Sequence, residues 1–316
     1  MNHTNFFSLA AAALFFLFIS CNSSNKPSFT DTPTSGSILI VCDESYQPLI
    51  STEADTFMGI YRQAKIAVNY FPESEGFHQL TSNDSVRLIV AARELNENEK
   101  DYFKSRNLIP RVTKIAIDAV ALIVNNDNSD SLFKFEQLRD IIQGKISTWK
   151  QFNPKSSGDS IRIVFDKNGS ANMRFLKEKF LGKNPFPGNF YATNSNADVV
   201  DYVNQHRNAI GVISVNWISD KDDPAANAFL NKIRVAEISP PDTSKDAGDF
   251  FKPYQGYIAL KQYPLIRDTY IISREGRNGL GTGFAAFVAG DQGQRIVRLM
   301  GMLPATIPVR LIHLTQ

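Results

Sequence analysis

The stretch SILIVCDESYQPLISTEADTFMGIYRQAKIAVNYFPESEGFHQLTSNDSVRLIVA, residues 37–91, decides the fold class. Ile38 to Val41 is a short unbroken apolar run, which is how a strand covered on both faces reads. Pro48 to Gln63 then reads as a helix and Lys65 to Tyr70 as a strand. Ser74 to Leu80 reads as a short helix and Val86 to Ala91 as a further strand. Strand and helix taking turns in this way predict an α/β fold with a largely parallel sheet.

The same rhythm continues outward. Asn96 to Arg106 is a charged surface helix, with Asn96 and Glu99 spaced as a capping box. Ala116 to Val124 is another apolar run. Phe135, Leu138, Ile141 and Ile142 share one helical face, and Gly144 follows as a stop. Ile161 to Phe165 predicts a strand, Ala171 to Leu181 and Asn196 to Gln205 helices, and Ala209 to Val215 a strand. A strand at Asp268 to Ser273 precedes two helices, Thr282 to Ala289 and Asp291 to Met300. Pro and Asp clusters at Asp220 to Pro224 and Pro240 to Asp249 mark surface loops.

A chain of 316 residues carries a prior of two domains. No internal repeat and no single Pro/Gly-rich linker divides it, so the chain is expected to pass between two lobes more than once. The expected crossings are Asp118 to Asn126 and Lys252 to Tyr257. They assign residues 37–118 with 257–316 to one lobe and 119–256 to the other.

Composition narrows the function classes. Thirty-four basic and 32 acidic residues leave a net charge of +2, with no basic stripe to suggest a nucleic-acid partner. A mean hydropathy of −0.21 speaks against a polytopic membrane protein. Two cysteines cannot form a disulfide scaffold. Cys42, in a strand-like run, reads as a small buried hydrophobe in preference to a nucleophile.

Phe6 to Ile19 is an apolar run too short to span a bilayer as a helix and fits a signal-peptide core. Phe18-Ile-Ser-Cys21 resembles a bacterial lipobox, although no Lys or Arg precedes Phe6. Residues 1–20 are therefore expected to be a signal peptide, with Cys21 lipidated. Residues 21–36, rich in Ser, Thr, Pro and Asn, are expected to tether the body to the membrane. That places the protein in the cell envelope, facing the periplasm.

Catalytic signatures are missing from the sequence. The four histidines lie far apart, and no HExxH, CxxC or GxSxG string occurs. No enzymatic activity, cofactor or metal is expected. The strongest local feature is Ile161-Arg-Ile-Val-Phe165 running into Asp166-Lys-Asn-Gly-Ser-Ala-Asn-Met-Arg174. Free N–H groups at a helix start make such a turn an anion site. Ser170 and Asn172 add donors, and Arg174 adds a guanidinium suited to tetrahedral oxyanions. A plain N-cap with a solvated Arg174 fits the same string. The loop Asp43 to Pro48 also precedes a helix, though its two acids, Asp43 and Glu44, weaken an anion reading. Arg93 follows a strand directly, as an ion pair or as part of a cleft. Ligands in open α/β folds bind at the carboxyl ends of strands, where all three features lie. Trp149, Trp217, Tyr254 and Tyr257 read as core or interface residues before cleft residues.

Several stretches resemble periplasmic substrate-binding proteins of the PstS-type phosphate class, in the lipoprotein branch of Bacteroidetes-like bacteria. They are Ile115-Ala-Ile-Asp-Ala-Val-Ala-Leu-Ile-Val-Asn125, Phe135-Glu-Gln-Leu-Arg-Asp-Ile-Ile-Gln-Gly-Lys-Ile-Ser-Thr-Trp149, Ala209-Ile-Gly-Val-Ile213, Tyr263-Pro-Leu, and Gly293-Gln-Arg-Ile with Gly301-Met-Leu-Pro304. The resemblance implies a two-lobed type II binding-protein fold that closes on an anion, most simply inorganic phosphate, for an ABC permease. A monomer is expected. The family's Ser-Gly-Thr phosphate turn falls on Ser170, Ala171 and Asn172, and its preceding arginine falls on Asp166, a reversal of charge. Arg174 is the candidate replacement cation. The family's first loop falls on Glu44 and Ser45, and its second on Ala92 and Arg93. A carboxylate at Asp166 or Glu44 can accept the proton of monohydrogen phosphate, which sulfate does not carry. Two other readings stand beside this one: a different anionic ligand, or an envelope scaffold or sensor without transport.

Overall fold

The structure is a computed structural model that describes residues 31–219 and 224–308. The leader, Cys21, the tether as far as residue 30 and most of the loop expected at 220–224 lie outside the described residues. The strands are β1 (Gly36–Asp43), β2 (Ala64–Phe71), β3 (Val86–Ala91), β4 (Arg111–Asn125), β5 (Leu132–Phe133) and β6 (Arg162–Phe165). They are followed by β7 (Phe190–Ala192), β8 (Ala209–Ser214), β9 (Ile233–Val235), β10 (Glu237–Ile238), β11 (Ile266–Ser273) and β12 (Leu303–Pro304).

One ladder path, β2-β1-β3-β11-β4-β8-β6-β7, runs through the body, while β5 and β10 pair separately. Every strand expected from the sequence is present. The capping box is formed too: Asn96 caps the helix Glu97–Ser105 and the Glu99 side chain bonds back to it. Two expectations need correction. The apolar run at Ala116 to Val124 is part of a 15-residue strand, β4. Residues 111–119 of it pair with β11 and residues 120–124 with β8, both antiparallel. The sheet is therefore mixed and not largely parallel: β1, β2 and β3 are mutually parallel, as are β6, β7 and β8, and β4 joins the groups. Only polar ends betray the length of β4, because its first four residues are partly or fully exposed.

The second correction concerns the helix expected to run to Leu181. It is α-helical over Ala171–Leu176 and widens into a π-type turn over Lys177–Leu181, where Gly182 ends it at φ +58°. Within the segment expected to act as a tether, Asp31 is bonded to the body. Asp31 accepts hydrogen bonds from the Leu280 amide at 2.9 Å and from Arg277.

Apolar side chains of both sheet faces form the core, and Cys42 lies fully inside it. Gly211 on β8 is required by packing: a Cβ there would stand 2.7–2.8 Å from Ile123, Val199 and Val203. Trp149 packs against Phe133 and Phe152 in the core, while Tyr254 and Tyr257 are exposed and stack on each other.

Glu53 breaks the core pattern. It is fully buried on the helix Gln47–Ile60, and neither carboxyl oxygen has a hydrogen-bond partner among the described residues. Burial pushes its carboxyl up to about 9. It keeps its proton at neutral pH, while the unfolded chain releases it near the ordinary carboxyl value, so stability falls progressively as pH rises from there to about 9 and then levels off. Glu53→Met is expected to raise stability by about 1–3 kcal/mol in urea melts, because an unpaired polar group leaves the core. It is also expected to remove Glu53's share of the fall in stability between about pH 5 and pH 9.

Candidate functional site

The carboxyl end of β1 and the start of the helix after β6 face each other across a narrow seam. Asp43, the last residue of β1, points both ways. Its Oδ1 accepts from the Ser45 amide at 2.9 Å, and its Oδ2 accepts from the Ala171 amide at 3.1 Å. Asp166 closes the turn on the opposite side. It accepts from Ser170 Oγ at 2.6 Å, from Asn196 Nδ2 at 3.3 Å and, more weakly, from Ser45 Oγ at 3.4 Å. Ser170 also caps its own helix by accepting from the Met173 amide at 3.3 Å. Glu44 receives the Asn196 amide at 3.2 Å and the Asn196 side chain. Asn172 donates to Asn196 Oδ1 at 3.3 Å.

The predicted residues Glu44, Ser45, Asp166, Ser170, Ala171 and Asn172 are thus brought together, and all six are buried. The loop after β1 works differently from the expectation. It precedes a helix, yet it offers carboxylates to N–H groups of the helices that start at Ala171 and Asn196. Asp43 and Asn196 are central here; Asp43 counted only against an anion site in the sequence, and Asn196 was not singled out. Asn196 carried one usable signal, its place after Ser195 at a helix start.

Arg93 and Arg174 stand at the rim, tied to acids. Arg174 is held by Glu73, donates to Glu178 at 2.6 Å and bonds the Ala92 carbonyl at 3.1 Å. Arg93 forks onto Glu99 at 2.7 and 2.8 Å, with its guanidinium 3.5 Å from the centre of the Phe77 ring. Both are therefore ion-paired, with only about a fifth of each side chain exposed. Glu73, buried at a helix start, is the hub that joins them and also accepts the Ala92 amide at 2.8 Å. The seam is backed by Asn216 and Trp217, which donate to the Ser45 carbonyl at 2.8 and 3.0 Å. At its far edge the Ser74 amide donates to the Gly169 carbonyl at 3.1 Å.

Crowding of acids governs the electrostatics. Burial pushes the Asp43 carboxyl up to about 7, and the negative charges of Asp166 and Glu73 add to the rise. Burial likewise raises Asp166 to about 6 and Glu44 to about 6. These groups titrate near about pH 4 in an unfolded chain. From there up to neutrality the folded protein holds protons that the unfolded chain has released, so stability falls as pH rises. Melting temperature at fixed ionic strength is expected to drop by several degrees between pH 5 and pH 8, with a flatter profile for Asp43→Asn. A profile that climbs with pH would contradict the burial of these carboxyls.

Among the described residues no helix is long and apolar enough to cross a membrane, and no cluster of metal-ligating side chains occurs. The chain is 29% identical over 218 residues to the phosphate-binding protein PstS of Staphylococcus saprophyticus, covering 67% of this chain and 62% of that protein. It is 25% identical over 252 residues to the Staphylococcus epidermidis protein of the same name, covering 78% and 72%. A Clostridium perfringens crystal structure with bound phosphate, from a candidate phosphate ABC transporter substrate-binding protein, matches with a TM-score of 0.69. Identity there is 21%, over 85% of this chain and all of that one. An ABC-type phosphate transport receptor from Vibrio cholerae matches with a TM-score of 0.62 and 18% identity, over 85% of this chain and 100% of that one. These structures share the fold of the present chain. Residues 27–292 match the PBP superfamily domain model, and the chain belongs to that family.

Proposed function

We propose that this protein captures inorganic phosphate, or a closely related oxyanion, and hands it to an ABC-type permease, without catalysis. The observation that carries the reading is the meeting of Ser45, Ser170, Asn172 and Asn196 with two helix starts in one buried seam, in a chain whose curated relatives are named phosphate-binding proteins. Residues 37–118 with 257–316 and residues 119–256 act as two lobes that close by hinge motion. The body hangs from the membrane by lipid on Cys21, faces the periplasm and works as a monomer.

The acids shape the choice of ligand. A fully ionised dianion beside ionised Asp43, Glu44 and Asp166 is repelled, at a cost on the order of a few kcal/mol per close pair at an effective dielectric near 20. A ligand that carries a proton turns one such contact into a hydrogen bond. Asp166, bonded to Ser170 and Ser45, is the acceptor for that proton.

Titration calorimetry on the full chain after exhaustive dialysis is expected to give micromolar or tighter phosphate binding and weak sulfate binding at pH 7. Asp166→Asn should narrow that preference; an unchanged phosphate-to-sulfate ratio would sink the role given to Asp166. Gly169→Ala tests closure separately. Gly169 has φ +79° and a Cβ there would lie 2.2 Å from Ser74 Oγ and 3.3 Å from Ser74 Cβ, so the two segments must shift where they meet. At least a tenfold loss of phosphate affinity is expected, together with a lower melting temperature because alanine is strained at that φ.

A further inference from the structure

Below the seam, where β11 and β4 pair, Arg267 lies opposite Asp118. Its side chain is only 3% exposed. Nε and Nη2 both reach one oxygen of Asp118, at 2.8 Å each. Asp118 is held in turn by Ser214, whose Oγ donates to its other oxygen at 2.8 Å. Asn216 bonds Ser214 and also the Ser45 carbonyl, so the network ends in the loop that follows β1. Arg267 is therefore braced from below and fixed in direction.

The guanidinium lies near aromatic rings from both sides of the seam. Its carbon is 5.3 Å from the centre of the Tyr46 ring on one side and 6.0 Å from the centre of the Phe175 ring on the other. Tyr46 follows Ser45, and Phe175 is on the helix that starts at Ala171. Neither Nη1 nor Nη2 has a hydrogen-bond partner among the described residues; Nη2 makes only the ion-pair contact with Asp118, and Nη1 makes none. A buried charged donor without an acceptor is costly, and an anionic oxygen supplies the missing bond at charge-assisted strength. Arg93 and Arg174 cannot fill this role without giving up Glu99, Glu178 and Glu73. The charge of Arg267 also acts on Asp43 and Asp166, where it opposes the rise caused by burial.

We propose that Arg267, delivered from β11 and braced by Asp118, is the ligand-binding cation of the seam and donates through Nη1 to an unprotonated oxygen of the bound oxyanion. Asp166 and Arg267 then divide the ligand between them, the acid taking its proton and the arginine its charge. This inference rests on the oxyanion reading above.

The test is phosphate titration of the full chain at pH 7 in four forms. These are the wild type, Arg267→Gln, Arg174→Gln and the double variant Asp118→Leu with Arg267→Met. Replacing both members of a buried ion pair by apolar residues of similar size is often neutral or stabilising. The double variant therefore reports on binding even if Arg267→Gln fails to fold. Arg267→Gln and the double variant should weaken phosphate binding at least 100-fold, and Arg174→Gln less than tenfold. Binding within threefold of wild type in the folded double variant overturns the role of Arg267 and leaves the oxyanion reading standing. A wild-type protein that binds neither phosphate nor sulfate overturns both.

Discussion

Three carboxyl groups, Asp43, Glu44 and Asp166, share one buried seam, where burial and their mutual repulsion make ionising all of them costly. This constraint organises the rest of the site. In water such acids would repel weakly and stay charged; out of water each must find donors or keep a proton. The chain uses both remedies. The amides of Ser45, Ala171 and Asn196 and the side chains of Ser170 and Asn196 supply donors, and the raised carboxyls retain protons toward neutral pH. The two sides of the seam are held by contacts that depend on protonation, a different mechanical situation from two apolar surfaces pressed together.

The positive charges are distributed to match. Arg93 and Arg174 gather round Glu73 at the rim, where they tie the loop after β3 to the helix after β6. Such pairs favour the correct meeting of the two sides more than they add stability, because what they gain in Coulomb energy they largely spend on desolvation. Arg267 is deeper and is held by a single acid. A cation fixed on a strand is placed more rigidly than one on a loop, and it can favour a charged ligand without closing the rim. Rim pairs that register the closure and a floor cation that meets the ligand form a division of labour suited to capture and release.

Much of the fold was legible in the sequence, since apolar runs and helical faces are local signals. The capping box of Asn96 and Glu99, the extent of Val86–Ala91 and the helix Asn196–Gln205 were all readable from neighbours a few residues apart. The site was half legible. Ser170, Ala171 and Asn172 follow a strand and open a helix, which marks them locally. Asp43, Glu73, Asn196 and Arg267 matter because of partners 101 to 152 residues away in the chain, or, for Arg267, 149 away. No spacing rule reaches that far. Asp43 in particular looked like an argument against a site, because an acid in a loop reads as solvated until the opposing helix is known.

Taken alone, the amino-acid sequence determined the α/β alternation, the strand-to-helix turn at Asp166 to Arg174 and the gathering of polar residues at strand ends. These follow from backbone periodicity and from the hydrogen-bonding needs of helix starts. Only the tertiary structure decided that β4 runs unbroken through both groups of strands, that the carboxylates of one side answer the amides of the other, and that Arg267 is buried against Asp118. Those outcomes depend on which surfaces are brought together and dried. The charge state and the use of a buried acid or base are set by its neighbours in space, and chain order does not list them.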